Sequence, residues 1–173
     1  MNTHFKSNPI KLAGRFPVAN EKAHDFTLTK SDLTEFNLRE TRGKRTVLNI
    51  FPSLDTSTCA MSVRKFNEIA SDLPETVVLC ISRDLPFAQN RFCVAEDIKD
   101  AIVLSDFRYK SDFGERYGVM MTNGLLCGLL ARAVIVIDKD GKILYSQLSS
   151  EITEEPDYQK AIEALIKNNV ETD

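Results

Sequence analysis

A buried strand that leads into a helix is predicted for the stretch TVLNIFPSLDTSTC, residues 46–59. Its first six residues are mostly apolar or β-branched, which is typical of a strand inside a sheet, and Pro52 marks the end of that strand. In open α/β sheets, ligands bind at the carboxyl ends of the strands. The loop that begins at Pro52 is therefore the first place to expect a functional site.

The helix that follows is predicted to run to about Leu73, where Pro74 stops it. Ser57 or Thr58 can cap its first turn. Its apolar residues recur at helical spacing and predict one buried face, made of Cys59, Val63, Phe66, Ile69 and Ala70. Cys59 is thus expected in the first turn of a helix that packs on the sheet.

Strands and helices alternate through the rest of the chain. Further strands are predicted at 76–81, 101–104 and 133–137, with helices at 84–93, 111–117 and 156–167. Asp84 can cap the first of these helices, with Pro86 in its first turn. The turn DKDG at 138–141 leads into a last strand at 142–147. This order predicts an α/β fold, a central mixed β-sheet flanked by helices, for which the thioredoxin-like fold is one candidate among several doubly wound folds.

We expect residues 1–173 to form a single domain, in keeping with the length of the chain. The N-terminal part, about residues 8–30, is predicted to be a β-hairpin extension, because short apolar runs there are separated by turn residues. Residues 168–173 are expected to be frayed.

Composition excludes several classes of function. The chain has 22 Lys and Arg against 25 Asp and Glu, a net charge of −3 that argues against binding of nucleic acid. No apolar run is long enough for a membrane span, and Lys6, Lys11 and Arg15 interrupt the apolar residues that a signal peptide would need. The four cysteines and two histidines lack zinc-site spacing. We therefore expect a cytoplasmic protein whose cysteines serve catalysis, redox sensing or packing.

Three residues near the predicted site have types suited to thiol chemistry. A helix N-terminus favours an anion, so it stabilises a Cys59 thiolate. The Thr56 hydroxyl could bond that thiolate or a bound oxygen, and the Arg132 guanidinium could stabilise both. Each also has an ordinary interpretation: a core cysteine, a helix-capping threonine and a solvated charge at a strand end.

The spacing of these residues resembles a known signature. Residues 52–59, PSLDTSTC, match the Pro-x-x-x-Thr-x-x-Cys pattern of the peroxiredoxins. The wider chain, from about residue 8 to 167, is similar to the bacterial thiol peroxidase subfamily, an atypical 2-Cys type. The stretches that carry this similarity are NIFPS (49–53), SVRKFN (62–67), DLPFAQ (84–89), RFC (91–93), ARAV (131–134) and EIT (151–153).

The resemblance implies a thioredoxin-dependent peroxidase with a thioredoxin-like fold and no cofactor, neither metal nor haem. Cys59 corresponds to the peroxidatic cysteine, Thr56 and Arg132 to the residues that position the peroxide, and Pro52 to the proline that shields the pocket. Cys93 corresponds to the resolving cysteine, which forms an intrachain disulfide with Cys59. The resemblance further implies hydrogen peroxide and organic hydroperoxides as substrates, thioredoxin as electron donor, a homodimer and a role in antioxidant defence.

Two alternatives stay open at this point. The same dithiol could serve a peroxide-sensing switch or a binding protein, although a bare sensor would not need Thr56 and Arg132 together. Cys80 is interpreted as an inert core thiol and Cys127 as incidental. For the dithiol itself we expect Cys59 and Cys93 to lie apart when reduced, so that the helix at 84–93 must partly unwind before they meet.

Overall fold

The computed structural model describes residues 2–167, which form eleven strands and four α-helices. The helices are α1 (Ser57–Asp72), α2 (Pro86–Ala95), α3 (Phe113–Arg116) and α4 (Tyr158–Lys167). The strands are β1 (Thr3–Phe5), β2 (Asn8–Ile10), β3 (Leu12–Ala13), β4 (Thr27–Lys30), β5 (Glu35–Asn37), β6 (Arg45–Ile50), β7 (Thr76–Ser82), β8 (Ile102–Ser105), β9 (Met120–Met121), β10 (Ala133–Ile137) and β11 (Ile143–Leu148).

Seven strands form the central mixed sheet, in the order β11-β10-β6-β7-β8-β4-β5. Strands β6, β7 and β8 are parallel, whereas β10 and β4 join them antiparallel. This arrangement confirms the predicted α/β class with a mixed sheet flanked by helices. Among residues 2–167, no helix combines the length and apolar composition required to cross a bilayer.

Two apolar layers cover the two faces of the sheet. Side chains alternate along each strand, so Val47 of β6 packs with α1 and α4, while Leu48 and Ile50 pack on the opposite side with α3 and the N-terminal segments. Every residue of β6 is buried. A strand buried on both faces reads as a continuous apolar run, which is why the sequence pattern located β6 to within one residue.

The N-terminal segment differs from the predicted hairpin at 8–30. The hairpin consists of β1 and β2 and lies earlier, whereas residues 27–30 form β4 and join the central sheet beside β8. Lys6 and Ser7 form the hairpin turn with positive φ, a conformation in which Gly or Asn is usual, so the sequence carried no turn signal there. The predicted fraying of residues 168–173 concerns a segment outside the described residues.

Asp106 is a buried carboxyl that follows β8. Within the described chain its Oδ1 atom has no hydrogen-bond partner, and Arg83 Nε lies 4.0 Å from its Oδ2 atom. Burial raises the pKa of Asp106 to about 6. The folded protein therefore binds the Asp106 proton more tightly than the unfolded chain, in which an aspartate has a pKa of about 3.9.

The pKa of Asp106 predicts a pH-dependent stability. The stability from this group is fully present below about pH 4 and is lost as the pH rises through about 6. Asp106→Asn should raise the free energy of unfolding at pH 7 by about 3 kcal/mol, since the pKa is raised by about two units and one unit corresponds to about 1.4 kcal/mol. Urea unfolding at pH 4 and pH 7 measures this, with the exposed Asp72→Asn as control. Equal effects of Asp106→Asn at both pH values would contradict the prediction.

Candidate active site

Helix α1 holds Cys59 in its first turn. The helix begins at Ser57, and the capping position falls on Thr56 rather than on Ser57 or Thr58 as predicted. Thr56 has the extended backbone of a capping residue. It also closes the turn that starts at Ser53, whose carbonyl accepts from both the Thr56 amide and the Thr56 hydroxyl. The first-turn position places the Cys59 sulfur in the positive field of the helix N-terminus.

Arg132 lies directly against the sulfur. Its Nη2 atom is 3.1 Å from Cys59 Sγ, and both side chains are almost completely buried. Its Nε atom donates to the carbonyl of Ile152 at 2.8 Å, which fixes the plane of the guanidinium. Among the described residues, Arg132 Nη1 has no hydrogen-bond partner. The buried guanidinium thus contacts the sulfur and, within the described residues, keeps one further donor group free for an oxygen atom.

The segment at 149–153 that orients Arg132 is itself held by the N-terminal hairpin. The Ile152 amide donates to the His4 carbonyl at 2.9 Å. The carboxylate of Glu151 accepts the two backbone N–H groups of the hairpin turn, each at 3.0 Å. The Thr58 hydroxyl donates to the carbonyl of Thr153 at 3.2 Å. The hairpin therefore braces the carbonyl that orients Arg132.

Buried apolar residues lie near Cys59, and the Cys59 carbonyl is held by a hydrogen-bonded pair of polar side chains. Phe51 and Pro52 are buried where β6 passes into the loop. The Ser62 hydroxyl donates to the Cys59 carbonyl at 2.8 Å, and the buried Asn49 donates to Ser62 Oγ at 3.2 Å. Such a dry setting strengthens the attraction between a thiolate and Arg132.

Thr56 is placed differently from the expectation of a direct bond to the thiolate. Its side chain is exposed, and its hydroxyl proton goes to the carbonyl of Ser53 at 3.0 Å. In this arrangement Thr56 does not donate to Cys59, but its oxygen lone pairs can still accept a hydrogen bond.

Cys93 lies near the end of α2 and is not bonded to Cys59. Both are free thiols, and α2 is helical through Cys93. Both also belong to one apolar cluster between the sheet and α1, Cys59 in its core and Cys93 at its edge. Burial raises the pKa of the Cys93 thiol, which disfavours its nucleophilic thiolate while α2 stays folded.

The two other cysteines lie on other elements of the fold. Cys80 is fully buried in β7, and burial raises its pKa to about 12, in keeping with a core thiol. Cys127 is exposed on the loop after β9.

Two parts of the site were missed by sequence reasoning. One is the Ile152 carbonyl, a backbone group whose role cannot be predicted from the type of the residue. The other is Asp84, which the sequence placed as the cap of α2. The capping residue is Leu85, and the Asp84 carboxylate instead accepts hydrogen bonds from Ser53 and Leu54 of the active-site loop.

Comparison with known proteins identifies the family of this chain. The Redoxin family model matches residues 18–162, which include Thr56, Cys59, Cys93 and Arg132. A thiol peroxidase from Corynebacterium glutamicum is 49% identical over 163 residues, 94% of this chain and 98% of that protein. The chain belongs to the Redoxin family and to its thiol peroxidases.

Solved structures agree with this membership. A peroxiredoxin-like protein from Aquifex aeolicus shares 40% identity, covers 96% of each chain and superposes with a TM-score of 0.90. A thiol peroxidase from Chromobacterium violaceum has a TM-score of 0.89 over 100% of this chain and 99% of its own, and at 20% identity it supports the fold alone. The predicted thioredoxin-like fold, the resemblance to the thiol peroxidases and the enzyme class are confirmed.

Proposed function

We propose that this thiol peroxidase reduces hydrogen peroxide and organic hydroperoxides by attack of the Cys59 thiolate. The contact between Arg132 Nη2 and Cys59 Sγ, with Nη1 free beside it, carries the proposal. The sulfur attacks one peroxide oxygen, an S–O bond forms and the O–O bond breaks. Cys59 becomes a sulfenic acid, and the other oxygen takes up a proton and leaves as water or an alcohol.

The remaining site residues would assist this step. Arg132 Nη1 could donate to the peroxide as negative charge develops on the leaving oxygen, the kind of interaction that lowers a barrier. The Thr56 oxygen could accept the hydrogen bond of the peroxide O–H group, since its own proton is held by Ser53. The buried Pro52 lacks an N–H group and would limit water around the sulfur.

Cys93 is proposed to resolve the sulfenic acid. Its thiol sulfur would attack the Cys59 sulfur, forming the intrachain disulfide and releasing water. Thioredoxin would then reduce the disulfide, becoming a disulfide itself and restoring both thiols. Because Cys93 sits in an intact helix as a free thiol, we infer that α2 partly unwinds before the bond forms.

The proposal also includes the oligomeric state and the cellular compartment of the protein. Leu125 and Tyr109 are large apolar side chains with about nine-tenths of their surface exposed, 90% and 85%, which a second copy in a homodimer could cover. The four free thiols fit a reducing compartment such as the cytoplasm, where the enzyme would serve antioxidant defence.

A coupled assay tests the proposal. The protein is mixed with peroxide, thioredoxin, thioredoxin reductase and NADPH, and NADPH oxidation is followed. We expect continuous turnover that depends on thioredoxin. A protein that consumes one equivalent of peroxide and is never recycled would instead favour the peroxide-sensing switch, and a protein that consumes none would refute both.

Arg132 should contribute strongly to the rate of Cys59 oxidation. Arg132→Lys keeps the positive charge but loses the Nε bond to Ile152 and the paired Nη groups. We expect the second-order rate constant with hydrogen peroxide to fall about 100-fold, the usual effect of removing one donor that stabilises developing charge. Stopped-flow mixing of the reduced protein with peroxide measures it.

Arg45→Lys is the matched control for this variant. Arg45 is also buried and also donates to a backbone carbonyl, that of Leu165, but it lies at the opposite end of β6. Its replacement should leave the rate constant with peroxide within about twofold. An Arg132→Lys protein that is as fast as the wild type would contradict the proposed role.

A further inference from the structure

Asp84 connects the active-site loop to the base of α2. Its Oδ1 atom accepts from Ser53 Oγ at 2.7 Å, and its Oδ2 atom accepts from the Leu54 amide at 2.8 Å. Oδ2 also accepts from Ser82 Oγ at 2.6 Å. Ser53 and Leu54 lie between Pro52 and the first turn that carries Cys59, so a single carboxylate holds that loop against the end of β7. Hydrogen bonds to a carboxylate are roughly twice as strong as those between neutral groups.

The backbone of Asp84 and the hydroxyl of Ser82, which donates to the Asp84 carboxylate, also take part in contacts at the start of α2. The Ser105 hydroxyl donates to the backbone carbonyl of Asp84. Gln89, a fully buried residue of α2, donates to Ser82 Oγ at 3.2 Å and to the Leu104 carbonyl at 2.9 Å. The loop, β7, β8 and α2 therefore meet at one hydrogen-bonded cluster, made of Ser53, Leu54, Ser82, Asp84, Gln89 and Ser105.

Few apolar contacts hold α2 in place. Of its ten residues Pro86 and Gln89 are buried, Phe92 and Cys93 are half-buried against the apolar cluster beside α1, and Phe87 and Val94 are exposed. A helix with so few buried apolar contacts opens at low free-energy cost, unless polar contacts at its base retain it. The cluster around Asp84 supplies those contacts.

We propose that Asp84 is a positioning residue that latches the closed form of the site and thereby sets how fast Cys93 reaches an oxidised Cys59. The proposal rests on the proposed function. With the latch closed, the loop keeps Cys59 beside Arg132, ready for peroxide. When the bonds of Asp84 to Ser53 and Leu54 break, the loop and α2 separate and the two sulfurs can meet. The latch thus determines the lifetime of the sulfenic acid before Cys93 reacts with it. During that time a second peroxide can oxidise it further.

Replacing Asp84 by Asn tests the latch. The amide keeps the size of the side chain but lacks the charge, and its NH₂ group cannot accept a hydrogen bond. We expect disulfide formation after one equivalent of peroxide to accelerate about tenfold, because the open form is more populated. Oxidation of Cys59 by peroxide should slow by no more than about threefold. Formation of Cys59 sulfinic acid per turnover, measured by mass spectrometry, should fall about tenfold.

The direction of the change separates a latch from a merely structural role. A structural role would slow both steps or change neither, and either outcome overturns the proposal. Asp97→Asn is the matched control: it removes the same charge just after α2, where Asp97 forms an exposed ion pair with Lys99, and should leave both rates unchanged. Should Asp84→Asn fail to fold, Ser53→Ala removes one latch bond and should accelerate disulfide formation about threefold.

The outcomes also distinguish this proposal from the one it rests on. A wild-type protein whose Cys59 is not oxidised by peroxide refutes the proposed function. A wild-type protein that turns over with thioredoxin, together with an Asp84→Asn protein whose disulfide forms at the wild-type rate, refutes the latch alone.

Discussion

Replacing Cys59 by serine should abolish thioredoxin-dependent peroxide reduction, lowering it to the rate of the assay without enzyme. The change exchanges one atom, and the serine hydroxyl can still accept the hydrogen bond that Arg132 Nη2 donates over 3.1 Å. The fold and the local charges therefore stay close to those of the wild type. What disappears is the thiolate, because a serine hydroxyl remains protonated at neutral pH and cannot be oxidised to a sulfenic acid.

Cys80→Ser is the control that makes this loss interpretable. Cys80 is as buried as Cys59 and lies in the same apolar cluster, so its replacement costs a similar burial of a hydroxyl without touching the proposed chemistry. It should lower stability somewhat and leave turnover nearly unchanged. NADPH oxidation and labelling of the sulfenic acid report the outcome. If Cys80→Ser lost activity as fully as Cys59→Ser, packing rather than the Cys59 thiolate would explain both.

The strand and helices around Cys59 could largely be predicted, because the residues that mark their ends lie within the elements or directly beside them. The apolar run from Thr46 and the stop at Pro52 located β6 to within a residue, and Pro86 marked the first turn of α2. Strands of two or three residues, such as β1 and β9, were beyond this reasoning. They are too short to show a period of two. β1 pairs with β2 across a turn that lacks the usual turn residues, and β9 pairs with β3, a partner far along the chain.

The site was predictable in its residue types and not in its contacts. The resemblance pointed to Arg132, but its orientation depends on the Ile152 carbonyl, and every residue except proline offers the same backbone groups. Asp84 looked like a helix cap because Asp often precedes a helix. Its carboxylate turns instead to Ser53 and Leu54, some thirty positions earlier, a pairing that only the parallel neighbours β6 and β7 bring about.

Replacing Cys93 by serine should separate the reaction with peroxide from its recycling. Cys93 lies on α2 and makes no bond with Cys59 in the reduced protein, so the first oxidation of Cys59 should proceed at nearly the wild-type rate. The sulfenic acid then has no partner thiol. We expect turnover with thioredoxin to stop after about one equivalent of peroxide, and further peroxide to convert Cys59 to the sulfinic acid.

Mass spectrometry of the Cys59 peptide can follow this sequence, because the sulfenic and sulfinic acids carry one and two additional oxygen atoms. Cys127→Ser is the control: Cys127 is an exposed thiol on another loop, and its loss should leave both oxidation and recycling intact. Continued cycling of Cys93→Ser with thioredoxin would show that another thiol resolves Cys59. Since Cys80 is held inside β7 with a raised pKa, Cys127 or direct attack by thioredoxin would then be the candidates, and the Cys93→Ser, Cys127→Ser double variant would decide between them.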